Sequence, residues 1–101
     1  MKNLSENKIN KEALLAVTRR LDLYEQGETT LSQLAQDTYS IIAGMVEVPT
    51  VWHNRFMRYW GAIEEVNALA LMEDSTDSLP EHKALLSKTL SDIRLLIDES
   101  L

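Results

Sequence analysis

Hydrophobic positions recur at helical spacing in four separate stretches of the chain. The first stripe consists of Ala13, Leu14, Val17, Leu21 and Tyr24. We expect Asn10 to cap the start of this helix, and Gly27 to close it because glycine readily takes the left-handed conformation that ends many helices. The second stripe consists of Leu31, Leu34, Ala35, Thr38, Ile41, Ile42 and Met45. It follows Thr30 and Gln33, which have the spacing of a capping box.

The third and longest stripe begins after Pro49, which denies the preceding residue an α conformation, and Thr50 is its expected cap. Its members are Trp52, Phe56, Tyr59, Trp60, Ile63, Val66 and Ala70. A polar stretch over residues 73–78 ends it, and Ser78 with Glu81 predicts the cap of a fourth helix. The fourth stripe consists of Leu86, Leu90, Ile93, Leu96 and Ile97.

These four stripes predict an all-α protein. No stretch alternates between apolar and polar residues in the manner of a strand, and hairpin signals are absent. Short connections favour helices that return antiparallel to their neighbours, so we expect an up-down-up-down four-helix bundle. A chain of 101 residues is one domain by size, so residues 1–101 form a single helical domain in which residues 1–9 are expected to fray.

Composition excludes several classes of protein. The chain has no Cys, so disulfides, thiolate zinc sites and thiol nucleophiles are ruled out. Residues 1–6 lack the apolar region of a secretory signal, and no apolar run approaches the roughly 20 residues of a membrane helix. The expected location is therefore the cytoplasm. The formal net charge of −6 repels phosphates and suits a basic partner.

The sequence contains no motif that indicates catalysis or cofactor binding. His53 and His82 belong to no metal-binding motif, and the isolated glycines form no phosphate-binding loop. We attribute Gly44 and Gly61, which fall within predicted helices, to close helix–helix approach. Glu64 and Glu65 point roughly 100° apart on a helix and cannot form one acid–base pair. The chain is therefore expected to be non-catalytic, with no metal and no cofactor.

Acidic residues concentrate at one end of the predicted bundle. The end of the first helix, the start of the second, the end of the third and the start of the fourth would meet there. We call this set the acidic pole: Asp22, Glu25, Glu28, Glu73, Asp74, Asp77 and Glu81. Lys83 is the basic residue near them in sequence, whereas residues 1–20 carry an excess of positive charge. Glu25, Glu73 and Asp74 lie near helix C-termini, where the helix dipole disfavours negative charge, so the acidic pole is our candidate partner-binding surface.

Some of these segments resemble a known class of protein. The run Leu23-Tyr24-Glu25-Gln26-Gly27 ahead of Thr30-Leu31 and Leu34, together with Trp52, Phe56 and Trp60 followed by Ile63-Glu64, Ala68 and Ala70, is similar to small helical immunity proteins of contact-dependent growth inhibition and colicin-like systems. The resemblance covers about residues 12–98. It implies a small cytoplasmic inhibitor that neutralises a cognate toxin domain by direct binding, often a basic nuclease. It assigns no binding residues.

Two other functions remain open from the sequence. Aromatic residues alternate with Arg55 and Arg58 over residues 52–60, a composition that can stack bases and contact phosphates, so a nucleic-acid-binding regulator is one alternative. The other is a helical adaptor or oligomerising scaffold, since five further apolar residues broaden the third and fourth stripes: Leu69, Leu71, Met72, Leu85 and Leu95. We expect no membrane partner and a monomer or weak dimer.

The aromatic stripe of the third helix provides a direct test of these interpretations. If Trp60 belongs to the core, Trp60→Ala lowers the free energy of unfolding by roughly 3–5 kcal/mol, enough to unfold a small domain. Circular dichroism with urea titration measures this loss. A variant that keeps wild-type stability would indicate an exposed platform for nucleic acid instead.

Overall fold

The computed structural model describes residues 4–101, and all regular secondary structure within them is helical. Two 3-10 helices and four α-helices follow one another: a 3-10 helix Leu4–Glu6, α1 Lys8–Glu25, α2 Leu31–Ala43, α3 Thr50–Met72, a 3-10 helix Pro80–His82 and α4 Lys83–Ser100. The all-α prediction is confirmed. Of the segment expected to fray, residues 1–3 lie outside the described residues and most of the remainder is helical.

The N-cap of α1 is Asn7, three residues before the predicted cap. Its side-chain oxygen accepts hydrogen bonds from the amides of Ile9 at 2.9 Å and Asn10 at 3.3 Å. Asn10 is buried instead, and both ends of its amide are satisfied by the segment after α2. Its Nδ2 donates to the Val46 carbonyl at 2.8 Å, and the Val46 amide donates to its Oδ1 at 2.9 Å. The prediction that Asn10 caps α1 was wrong, because its side chain forms hydrogen bonds with the α2–α3 connection instead.

The boundary between α1 and α2 follows the sequence signals closely. Gly27 has a φ of +75°, the left-handed conformation expected of a residue that ends a helix. Thr30 caps α2 by accepting a hydrogen bond from the Gln33 amide at 3.1 Å. The reciprocal half of the capping box does not form, because the Gln33 side chain donates to Asp37 at 2.8 Å.

The starts of α3 and α4 differ from the prediction. Pro49 occupies the cap position of α3 and Thr50 is its first residue, without a side-chain capping bond. Ser78 does not cap α4, since the 3-10 turn at Pro80–His82 intervenes and α4 begins at Lys83. The Ser78 amide donates to Asp77 Oδ1 at 2.7 Å, and neither the 3-10 turn nor α4 has a side-chain capping bond in the described part of the chain.

All four helices contribute to one hydrophobic core. Each α-helix supplies fully or almost fully buried residues: Leu14, Val17, Leu21, Leu31, Leu34, Phe56, Ile63, Val66, Leu90, Ile93, Leu96 and Ile97. Helices consecutive along the chain pack against each other, and α1 also contacts α4. The result is a helical bundle, and all of its buried hydrophobic residues belong to the four predicted stripes. No helix within residues 4–101 has the length and apolar character needed to cross a membrane.

Neither helical glycine is explained by close helix packing. Gly44 is the C-cap of α2, and a Cβ there would lie no closer than 3.5 Å to its own turn. Gly61 lies inside α3 on the exposed surface, and a Cβ built on it would meet nothing within 4 Å. The predicted role of these glycines in helix–helix approach was therefore wrong, because both positions face solvent.

This exposure predicts that Gly61→Ala stabilises the protein. Alanine in an exposed helix interior is favoured over glycine by about 0.5–1 kcal/mol, and the added methyl group meets no obstacle at Gly61. Urea titration monitored by circular dichroism should show a higher free energy of unfolding. The matched variant Gly27→Ala should be less stable than wild type, because its φ is positive. A destabilised Gly61→Ala variant would contradict this account.

Candidate functional site

The α1–α2 loop and the α3–α4 loop lie together at the acidic pole. The Leu31 amide donates to the Thr76 carbonyl at 3.3 Å, and the Tyr24 hydroxyl donates to Asp77 Oδ1. Glu25 and Asp77 line one groove against α4, while Glu28 and Asp77 line an adjoining groove between the loops. Glu73, Asp74 and Glu81 line neither groove. Hydrogen bonds from the end of α1 and the start of α2 to the α3–α4 loop thus bring Glu25, Glu28 and Asp77 to adjoining grooves.

Two acids of α1 are partly neutralised by a residue that the sequence analysis did not include. Arg94 of α4 places its Nη2 at 2.8 Å from Asp22 Oδ1 and 3.1 Å from Glu25 Oε2. Burial opposes its charged form, but hydrogen bonds to both carboxylates outweigh that effect and raise the pKa of Arg94. Arg94 lies 72 residues from Asp22 along the chain, so no local sequence signal could have identified this pairing.

Asp77 is a structural member of the acidic pole. Its Oδ1 accepts from the Tyr24 hydroxyl and the Ser78 amide, and its backbone carbonyl accepts from Ser75 Oγ at 2.7 Å. The hydrogen bond from Tyr24 lowers the pKa of the Asp77 carboxyl below its ordinary value. Partial burial, and next the bond to Asp77, raise the pKa of the Tyr24 hydroxyl well above its ordinary value. Asp77 therefore stays ionised while it ties α1 to the α3–α4 loop.

The other acids of the pole remain available to a partner. Their side chains are exposed, and no ion pair involves them within residues 4–101: Glu28, Glu73, Asp74 and Glu81. Asp74 has a φ of +56°, a left-handed conformation that aspartate tolerates better than most residues. Lys83 and Arg94 lie in the groove beside Glu25 and Asp77, so two basic side chains accompany the seven carboxylates of the pole.

Exposed apolar residues adjoin these acids at the end of α3. Leu71 is 51% exposed and Met72 is 79% exposed, and they directly precede Glu73 and Asp74. Protein-binding surfaces commonly combine apolar contact residues with a charged rim. The end of α3 thus combines the two kinds of side chain that a protein interface uses.

The aromatic residues of α3 are tied to the core. Phe56 is completely buried, while Trp52, Tyr59 and Trp60 are partly buried and pack against the core. The Trp52 indole donates to Ser100 Oγ and the Trp60 indole to the Ala35 carbonyl, both at 2.8 Å.

The arginines among these aromatics differ in their availability. Arg55 donates to Tyr59 and pairs with Glu99 at 3.2 Å, so its charge is already compensated, whereas Arg58 is exposed. The residues proposed for nucleic-acid stacking are thus largely engaged within the bundle.

Carboxyl groups are the main ionisable groups of the pole. Even so, no group of three or more potential metal ligands occurs within residues 4–101. Most residues that line the two grooves at the pole have polar side chains. Comparison of the chain with protein-family models, curated proteins and solved structures gives no match.

The Tyr24–Asp77 hydrogen bond predicts a two-sided dependence of stability on pH. Asp77 supplies stability above its ordinary pKa of 3.8, and this stability is lost as the pH falls through the lower pKa of the folded state. Tyr24 supplies stability below its ordinary pKa of 10.0, and this is lost as the pH rises through the higher folded pKa. Tyr24→Phe should weaken both dependences and cost about 1 kcal/mol near pH 7.

Urea denaturation at a series of pH values measures this effect. Tyr39→Phe is the matched control, because the Tyr39 hydroxyl makes no hydrogen bond within residues 4–101 and its loss should leave the pH profile unchanged. Equal pH profiles for wild type and Tyr24→Phe would contradict the proposed coupling of the two side chains.

Proposed function

We propose that this chain is a non-catalytic inhibitor that binds a basic protein through the acidic pole. The observation that carries this proposal is the exposed, unpaired charge of Glu73 and Asp74 beside the exposed side chains of Leu71 and Met72. Complementary charge accelerates association and selects the partner, while apolar residues at the centre of an interface supply much of the binding energy. A basic partner is therefore favoured over an acidic or uncharged one.

The partner that fits best is a toxin domain of the nuclease type, and we propose that the chain is its immunity protein. Nucleases that hold RNA or DNA present basic surfaces to phosphates, and an acidic inhibitor offers the same charge as their substrate. The resemblance of the chain to helical immunity proteins supports this assignment. We further propose that the inhibitor acts in the cytoplasm as a monomer or weak dimer, without a cofactor.

We infer an antiparallel up-down-up-down arrangement of the four helices, which would place both acidic loops at the same pole. The bond from Leu31 at the start of α2 to Thr76 after α3 supports this arrangement. The bond between Trp52 near the start of α3 and Ser100 at the end of α4 supports it as well. In such a bundle the start of α1, with Lys8 and Lys11, lies at the opposite pole, so an approaching basic protein would be drawn towards the acidic pole instead.

The first experiment is co-purification of this protein with the product of its neighbouring upstream gene, combined with a co-expression protection assay. The double variant Glu73→Gln/Asp74→Asn removes two unpaired charges from the pole, and asparagine keeps the left-handed backbone of Asp74 favourable. We expect binding to weaken by roughly three- to thirtyfold, chiefly through slower association, and the difference to shrink at high salt. Asp77 is left intact because it stabilises the loop.

The control variant Glu12→Gln/Asp98→Asn removes the same charge from exposed acids outside the pole. It should bind as wild type does. If both variants bind equally well, the inhibitor function stands but the acidic pole is not its contact surface. If no complex forms and no protection is observed, the immunity proposal is wrong. A salt-sensitive complex with RNA or DNA would then favour the nucleic-acid alternative, and concentration-dependent sedimentation would favour the scaffold.

A further inference from the structure

A third surface groove runs between α2 and α3, away from the acidic loops. Its volume is about 400 Å³, and six residues line it: Ser32, Gln36, Tyr39, Ser40, Trp60 and Glu64. The rings of Tyr39 and Trp60 lie 5.0 Å apart between centroids, with their planes tilted by 45°. Because the Trp60 indole donates to the Ala35 carbonyl, its ring orientation is fixed, whereas Tyr39 is 48% exposed. The groove therefore presents an aromatic surface to solvent.

The polar groups of this groove favour a cation. Glu64 is exposed and forms no ion pair within residues 4–101, and the lining contains no basic side chain. Ser32 donates its hydroxyl hydrogen to Asn67 Oδ1 at 3.0 Å, so its oxygen offers the groove an acceptor. Gln36 adds an amide oxygen. Aromatic faces attract cations through their quadrupole, and a carboxylate within the same groove adds to that attraction.

The groups that line the groove favour an arginine side chain over a lysine side chain. A guanidinium is planar and more weakly hydrated than an ammonium, so it stacks on aromatic rings while its edge donates several hydrogen bonds. The exposed ring of Tyr39 can stack on the plane of a guanidinium. The oxygen atoms of Ser32, Gln36 and Glu64 can accept hydrogen bonds from its edge. We propose that this groove binds the guanidinium group of an arginine side chain on a protein partner. The site uses no residue of the acidic pole and stands independently of the toxin-neutralising function.

The test uses a small probe, so it does not depend on the identity of the partner. The ¹⁵N-labelled protein is titrated with N-acetylarginine methylamide, and the two indole N–H signals are followed by NMR, with Trp60 assigned through Trp52→Phe. We expect the Trp60 signal to shift saturably with millimolar affinity, while the Trp52 signal stays in place. The corresponding citrulline compound has nearly the same shape without the charge, and it should produce no saturable shift.

Variants connect the shift to this groove. Tyr39→Ala and Glu64→Gln should each weaken binding at least about threefold, whereas Tyr39→Phe should bind as wild type because it keeps the ring. Glu65→Gln is the matched control, since Glu65 is exposed and points roughly 100° away from Glu64 on α3. An absent shift, an equal shift with citrulline, or equal effects of Glu64→Gln and Glu65→Gln would overturn the proposal. These outcomes leave the co-purification experiment unaffected, so the two proposals fail separately.

Discussion

Mutual burial of four apolar stripes holds the helices of this chain in place. A helix the length of α2, from Leu31 to Ala43, is marginal in water on its own, so its stability comes mainly from the face it buries. Phe56 and Ile63 of α3 are completely buried in the same core as Leu14 of α1 and Ile93 of α4. Every other feature of the molecule depends on this core, because the core fixes the positions at which the connecting loops emerge.

Hydrogen bonds from two helices to the α3–α4 loop fix the arrangement of the acidic pole. Loops that protrude freely would spread their charges over many arrangements and lose entropy on binding a partner. Here Tyr24 and Asp77 join α1 to the α3–α4 loop, and the Leu31 amide joins α2 to that same loop. The hydrogen bond of Asp77 and the ion pairs of Arg94 therefore hold these segments together. Glu73 and Asp74 form no such pairs within residues 4–101, so their charges remain exposed on a backbone whose position is already fixed.

The sequence predicts the parts of this fold that depend on periodicity. The four apolar stripes and the turn at Gly27 follow from spacing and from the conformational freedom of one residue. Caps are less predictable, because several polar residues near a helix start compete for the same free amides. Asn7 caps α1 because Asn10 is engaged by Val46, a partner 36 residues away.

At the candidate sites too, the sequence predicts which residues are present but not which residues pair across the tertiary structure. Charge counting identifies the acidic residues, but not the pairing of two of them with Arg94. Likewise, Tyr39 and Trp60 belong to different helices, and their contact depends on how α2 packs against α3. Such pairings depend on side-chain reach across an interface, which helical spacing does not encode.

The packing of consecutive helices also determines how quickly the protein folds. Most interhelical packing joins elements that are neighbours along the chain, although α1 also packs against α4. Helical topologies dominated by such local pairings fold in microseconds to milliseconds. Translation at about 5–20 residues per second takes seconds for 101 residues. Folding of this domain is therefore faster than its synthesis, and its surface charges take their places almost as soon as the last helix is available to pack.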